Sequence, residues 1–331
     1  MNNNNIDFVM LWVDGNDKEW QRVKDSYSGE KGDRSPNRYR DWDNLQYWFR
    51  GVEQFAPWVN RIFFVTCGHL PKWLNTSHPK LTVVRHEDYI DPRYLPTFCP
   101  HPLELNLHRI KGLSEHFVYF NDDIFLINPV KPDDFFRNGL PRDRCIETAV
   151  TQNDIRDPFA HVLLNNVAII NHHFKKREVI RHTWRKFFSP VYGPSVLRNV
   201  LMLPYKEFSG FKFAHLASPF LKSTFDEVWR AEGDYLDLVC QNRFRTTLDV
   251  NQYLFKEWQR MKGDYVPQAS SFGKYFQMGR DDAACYETLK KHSVKMVCIN
   301  DGKWIQNFQE TKQKVNGCLQ SLLPEKSGYE I

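Results

Sequence analysis

Three polar residues, Asn121-Asp122-Asp123, stand together inside an apolar run, between Phe117-Val118-Tyr119-Phe120 and Ile124-Phe125-Leu126. Carboxylate oxygens are hard donors. Mg²⁺ or Mn²⁺ bound by one or two of them keeps positions open for substrate phosphate oxygens. Asp122 and Asp123 are therefore candidates for holding a divalent metal on a diphosphate. The competing reading is a turn, with Asn121 or an aspartate closing a backbone bend. A second apolar segment, residues 295–299, ends in an echo of the first, Asn300-Asp301-Gly302.

Other residues offer chemistry from elsewhere in the chain. The first apolar segment, residues 6–13, empties into Asp14-Gly15-Asn16-Asp17. Gly15 permits positive φ or a close backbone approach to a nucleotide, and a simple tight turn would look the same. Arg34, Arg38 and Arg40, in or beside the polar loop at residues 29–39, either reach a phosphate or are solvated. Arg50 falls off the apolar stripe of its segment and could point into a site. Glu104 and His108 would share one face of a helix, with Arg109 next to them. That group is either a polar patch aimed into a pocket or a solvated face with one ion pair.

The surrounding elements must place these groups. Residues 6–13, 61–66 and 81–85 read as strands, and 117–120 as a short buried strand that runs into the carboxylates. Between them lie helices at 43–55, with Leu45, Trp48, Phe49, Val52 and Phe55 at helical spacing, and at 103–115, with Leu103, Leu107, Ile110 and Leu113. The alternation predicts an α/β, Rossmann-like, doubly wound and mainly parallel sheet with helices on both faces. Such sheets bind ligands beyond the carboxyl ends of their strands, where Asp14 and Asp122 fall. After Pro129 the pattern predicts a short helix from Pro132, a strand-like run at 162–170, and helices at 177–188, 195–203, 219–231 and 249–261. A last strand follows at 295–299. The expected organisation is one domain over residues 1–310. Its sheet core covers about 6–130 and 295–301, its helical part about 175–265, and 311–331 form a polar, peripheral tail.

Composition narrows the class. The chain has 331 residues, of which 41% are hydrophobic and 26% charged, with a net charge of +5. These values suit a globular α/β protein with an ample core. The mild basic excess fits an anionic substrate or an anionic membrane surface. No Lys/Arg run is dense enough for nucleic acid. No apolar run reaches transmembrane length, and Met1 followed by four asparagines does not read as a signal peptide. The seven cysteines are scattered without a CxxC pair, which argues for a reducing cytoplasm and against structural zinc.

These residues bring a family into view. The segments Ile6-Asp7-Phe8-Val9-Met10-Leu11-Trp12-Val13-Asp14-Gly15, Arg40-Asp41-Trp42-Asp43-Asn44-Leu45, Val65-Thr66-Cys67-Gly68, Leu95-Pro96-Thr97-Phe98 and Asn121-Asp122-Asp123 occur in order. They are followed by the region of His215 to Pro219, Phe244-Arg245-Thr246 and Cys298-Ile299-Asn300-Asp301. In this the sequence resembles the Stealth proteins, which comprise bacterial capsular and cell-wall polysaccharide phosphotransferases and the animal enzyme that adds N-acetylglucosamine-1-phosphate to lysosomal glycoproteins.

The resemblance implies a nucleotide-sugar-transferase-like fold with helical additions in the second half. It implies transfer of a hexose-1-phosphate or N-acetylhexosamine-1-phosphate from a UDP-sugar to a hydroxyl of an oligosaccharide or lipid-linked glycan, with release of UMP. It further implies Mg²⁺ or Mn²⁺ on Asp122 and Asp123, with Asp301 as a further ligand, and a nucleotide end shaped by Trp12, Asp14 and Gly15. His215 becomes the general base and Arg245 the phosphate clamp. Arg50, Glu104, His108 and Arg109 are secondary substrate-binding candidates. A lipid-linked acceptor would place the protein at the inner face of a membrane. The rival readings are a metal-dependent glycosyltransferase releasing UDP and a non-catalytic carbohydrate-binding module.

Overall fold

The computed structural model describes residues 5–28, 40–152 and 158–331; Arg34 and Arg38 lie outside them. The first apolar segment forms β1 (Ile6–Leu11), followed by α1 (Lys18–Ser28), which the sequence reading did not pick out. Then come α2 (Leu45–Phe55), β2 (Ile62–Thr66), β3 (Leu81–Arg85), α3 (Pro100–Leu105) and β4 (His116–Phe120). These strands pair in parallel in the order β3-β2-β1-β4. The order reverses between β1 and β4, which opens a crevice at their carboxyl ends. Asp14 follows one end and Asn121 the other.

The expected mainly parallel α/β sheet with helices on both faces is what forms. Side chains alternate across a strand, so Phe8, Met10, Phe64, Val118 and Phe120 enter one core while Val9, Phe63, Val65, Phe117 and Tyr119 enter the other. The predicted stripe of α2 lies in the first core.

The run at 117–126 is split. After a turn at residues 121–123, β5 (Ile124–Leu126) leaves the main sheet. The chain continues through α4 (Pro132–Phe135), β6 (Phe136–Arg137), β7 (Leu140–Asp143), α5 (Phe159–His173), α6 (Lys176–Phe187) and α7 (Val196–Leu201). Next are β8 (Ser218–Leu221), α8 (Lys222–Cys240), α9 (Tyr253–Lys262), β9 (Val266–Pro267) and β10 (Gly273–Gln277). The chain ends with α10 (Asp282–Lys291), β11 (Met296–Asn300) and α11 (Phe308–Leu322). β8 pairs antiparallel with β4, while β11 lies between β10 and β5.

Several expectations need correction. Residues 162–170 belong to α5, because a short, mostly apolar run, here broken only by Asn165 and Asn166, reads alike for a buried strand and a helix segment. The helix expected at 103–115 stops at Leu105, and Leu107–Arg109 form a separate 3-10 turn. Residues 219–221 are strand, so the following helix starts at Lys222. The tail at 311–331 is not peripheral. Val315 and Leu319 of α11 are fully buried in the first core, and Leu323 and Tyr329 join them.

Arg50 serves that tail. Its Nε and Nη2 donate to Glu330 at 2.8 and 2.7 Å, and Nη1 donates to the Leu323 carbonyl at 2.9 Å. Arg50→Ala strands the enclosed Glu330 carboxylate and should cost about 2–3 kcal/mol in urea denaturation. Burial alone would raise Glu330, but Arg50 and Ser327 outweigh it and hold the carboxyl below its ordinary value of 4.5. The contribution is therefore present above that ordinary value and lost as pH falls through the lowered one. An Arg50→Ala protein with unchanged stability at neutral pH would contradict the assignment.

Candidate active site

The turn after β4 is closed by backbone, with the Ile124 N–H donating to the Asn121 carbonyl at 3.2 Å. The Asn121 side chain turns away and donates to the Tyr119 hydroxyl at 3.2 Å. Asp123 makes tertiary contacts. Its Oδ2 accepts from Cys298 Sγ and Asn300 Nδ2, both at 3.2 Å, and lies 3.4 Å from His215 Nε2. Its Oδ1 is buried with no hydrogen-bond partner.

Burial alone would raise Asp123, but His215, Cys298 and Asn300 outweigh it and hold its carboxyl below the usual range. Asp122 keeps solvent contact. Crowding by the surrounding protein, then the charge of Asp123, push it up to about 7. Burial and the neighbouring Asp123 raise the Cys298 thiol well above its ordinary value, so it stays protonated and donates. Ligand atoms of Asp123, His215 and Cys298 all lie within 4.8 Å of one another.

His215 stands just before β8. Its Nδ1 pairs with the Tyr253 hydroxyl, at the start of α9, at 2.9 Å. The Tyr275 ring meets the imidazole edge-on at 6.0 Å, and its hydroxyl donates to Asn300 Oδ1. Burial would depress His215, yet Asp123 prevails and holds it above its ordinary value. Burial also keeps the Tyr253 phenol protonated. The imidazole is thus fixed at both nitrogens, as a group that moves a proton between defined partners should be.

Glu104 lies buried behind the turn. It accepts from the Tyr119 hydroxyl at 3.1 Å and the Gln252 N–H at 3.3 Å, so Asn121, Tyr119 and Glu104 form one hydrogen-bonded chain. Burial raises its carboxyl, opposed by the charges of His101 and Arg245 among others. Arg245 is exposed and makes no ion pair or hydrogen bond among the described residues. Its loop is held by Asp249, which accepts from the Thr246 N–H at 2.9 Å and hydroxyl at 2.7 Å and pairs with His101 Nδ1 at 2.9 Å. A fixed loop carrying a free guanidinium suits bidentate phosphate binding.

His108 and Arg109 are not brought to this group. The helix that would have aligned His108 with Glu104 ends between them. His108 lies against Phe225 and Trp229 of α8, where burial, then Arg109, depress it to about 3. Arg109 stacks on Trp229 at 4.3 Å.

Asp301 has partners of its own. Both its oxygens accept from the Arg40 guanidinium, and Oδ2 accepts from the Trp42 indole at 3.2 Å. Of the echoed pair it is Asn300 that reaches Asp123. Gly302 closes this segment because a Cβ there would collide with the Met278 carbonyl.

Trp12, Asp14 and Arg50 meet in a neighbouring cavity of about 410 Å³, walled also by Trp73, Asp41 and Ile331. Trp12 stacks on Phe64 at 5.6 Å. The Asp14 N–H donates to His69 Nε2 at 2.7 Å, and its Oδ1 accepts from the Asn16 N–H at 2.8 Å. Gly15 is buried, its carbonyl accepting from Gln21 Nε2 at 2.6 Å. Asp41 in its wall follows Arg40, the partner of Asp301, and Asp301 in turn follows Asn300, which donates to Asp123.

Sequence reading missed Tyr253, Tyr119 and the contacts of Cys298 and Asn300. The only signal for Asn300 was the Asn-Asp echo. Tyr253 and Tyr119 looked like ordinary core aromatics.

Residues 4–32 match the description "Stealth protein CR1, conserved region 1", and residues 38–143 match "Stealth protein CR2, conserved region 2". A "Capsular polysaccharide phosphotransferase WcwK" of Streptococcus pneumoniae is 40% identical over 329 residues, covering 98% of each chain. The chain belongs to the Stealth family. The "Receptor polysaccharide phosphotransferase WefC" of Streptococcus gordonii is 40% identical, covering 98% of this chain and 99% of that one. The "Exopolysaccharide phosphotransferase cps2G" of Lactiplantibacillus plantarum is 36% identical, covering 98% and 96%. Among solved structures, the galactosyltransferase LgtC in complex with donor and acceptor sugar analogs aligns at a TM-score of 0.43 and 10% identity, covering 97% of this chain and 98% of that chain.

Proposed function

We propose that this Stealth protein is a polysaccharide phosphotransferase that moves a sugar-1-phosphate from a UDP-sugar to a hydroxyl of an acceptor glycan, releasing UMP. The observation that carries the reading is the grouping of Asp122, Asp123 and His215, from two distant parts of the chain, at the switch point of the sheet. Full-length relatives named polysaccharide phosphotransferases support it.

The carboxylates fit Mg²⁺ or Mn²⁺. Asp123 Oδ1 is buried without a partner, Asp122 is open to solvent, and the protonated Cys298 thiol is no competing soft ligand. When bound, such an ion supplies charge neutralisation for the diphosphate and the departing nucleotide. Asp301, bound by Arg40, could join only by leaving that pair.

His215 takes the proton of the acceptor hydroxyl as the oxygen attacks the β-phosphorus. The bond from that phosphorus to the bridging oxygen breaks, and UMP leaves with the electron pair. Arg245 holds the transferring phosphoryl group. Tyr253 keeps the imidazole oriented, and Glu104 fixes the turn through Tyr119 and Asn121. The cavity of Trp12 and Asp14 takes the nucleoside, its volume within the range of small-ligand pockets.

Residues of about 175–265 supply the acceptor side, where the acceptor is an oligosaccharide or lipid-linked glycan. No helix among the described residues is long and apolar enough to cross a membrane. We place the protein in the cytoplasm, peripheral to the inner membrane face.

The product tests the proposal. With Mg²⁺ or Mn²⁺, UDP-sugars and a cell-envelope glycan acceptor, ³¹P NMR of the purified glycan should show a phosphodiester resonance. A glycosylated product without phosphorus would overturn it.

A further inference from the structure

Helix α7 is turned inside out. Its enclosed residue is Asn199, whose amide donates to the Cys145 and Phe187 carbonyls and accepts from the Glu147 N–H. Leu197 and Leu201, two positions to either side, are 61% and 72% exposed. At 3.6 residues per turn these leucines point away from Asn199, out of the protein. Val200, Leu203 and Tyr205 are exposed beside them. The platform beneath is fixed, because buried Lys176 pairs with Glu147 at 2.8 Å and donates to the Met202 carbonyl at 2.7 Å. A rigid outward row of leucines is a docking surface, since soluble proteins rarely expose contiguous apolar patches of this kind.

The charge around it selects the partner. The neighbouring α6 presents Arg177, Arg181, Trp184 and Arg185 to solvent at helical spacing, with Trp184 55% exposed. None of these arginines makes an ion pair among the described residues. Arg198 of α7 is also exposed. Glu178, the one acid of α6, is exposed among them and pairs with Lys175 at 3.8 Å, so the arginines leave this face basic. Exposed apolar residues beside exposed arginines, with Trp and Tyr among them, match the interface of an anionic bilayer. A symmetric contact between two copies would set these arginines against each other.

We propose that α7, with the outward face of α6, seats the protein on an anionic lipid bilayer. The leucines enter the headgroup boundary and the arginines meet lipid phosphates. The chain runs from this surface through buried Phe208 and Phe211 to His215, so a short, fixed segment joins it to the proposed base. The surface does not depend on which nucleotide the reaction releases.

The test is sedimentation of the full chain with phosphatidylglycerol/phosphatidylcholine vesicles and with phosphatidylcholine alone. The protein should partition onto the anionic vesicles. L197S/L201S should bind them at least about tenfold more weakly. R181E/R185E should lose the preference for anionic lipid, as should wild type in roughly 0.5 M salt. Both variants change exposed side chains, so melting temperature and turnover on a water-soluble acceptor should be unchanged. Failure of wild type to bind, or equal binding by L197S/L201S, would overturn the proposal. So would light scattering in which L197S/L201S turns a dimer into a monomer while vesicle binding is unaltered; α7 would then be a copy-to-copy interface. Partition is read without turnover, so this outcome and that of the phosphotransferase reading are separable.

Discussion

Asp123→Asn should remove metal-dependent turnover by about 10³-fold or more while the fold survives. The substitution keeps the shape of the side chain and deletes one charge. The Asp123 carboxylate meets the side chains of Cys298, Asn300 and His215 together. Its loss therefore acts on the carboxylate pair and the imidazole at once. An interaction that neutralises charge in phosphoryl transfer contributes several kcal/mol, which is the origin of the expected size. The fold should hold because His215 can release its proton rather than remain an unpaired buried cation. The checks are kcat at saturating Mg²⁺, Mn²⁺ binding by calorimetry, and the melting curve. Asp122→Asn should give a similar loss from the solvent-facing side. Turnover within about tenfold of wild type in either variant would contradict the metal assignment.

His215→Ala should cost about 10²–10⁴-fold in kcat, the usual contribution of a positioned general base. The imidazole stands between Asp123 and Tyr253, at 3.4 and 2.9 Å, so its position is set by two elements far apart in the chain. Tyr253→Phe gives an internal comparison. It removes only the Nδ1 partner and should lower kcat by roughly 10–100-fold with KM little changed, as expected when a residue orients a reacting group. A loss of only a few-fold in His215→Ala would return the histidine to a structural role.

The parts legible in the sequence were those encoded locally. Alternating apolar segments announced β1, β2, β3 and β4, and the rule that such sheets bind ligands beyond their carboxyl ends picked out Asp14 and Asp122. Long-range pairing was not legible. Nothing in the Asn300-Asp301 echo says that Asn300 reaches Asp123 while Arg40 takes Asp301. Arg50 looked free for a ligand because its partner, Glu330, lies 280 residues away in a tail of polar composition. Helix α5 was misread because nine mostly apolar residues, with only Asn165 and Asn166 among them, are too few to separate a strand from a helix segment. The Glu104, His108 and Arg109 group dissolved because the helix ends at Leu105, a boundary no Gly or Pro marks. His215 and Arg245 were found only through family resemblance. The structure adds what surrounds them: Tyr253 on the histidine, and the His101–Asp249–Thr246 network beneath the arginine.

The most direct test of the central claim is the nucleotide released during turnover, identified by chromatography with purified protein, a divalent metal, UDP-sugars and acceptor glycan. Attack at the β-phosphorus predicts UMP, formed in step with product. UDP would mean that the sugar C1–O bond had broken instead, and the roles given to His215 and Arg245 would be wrong.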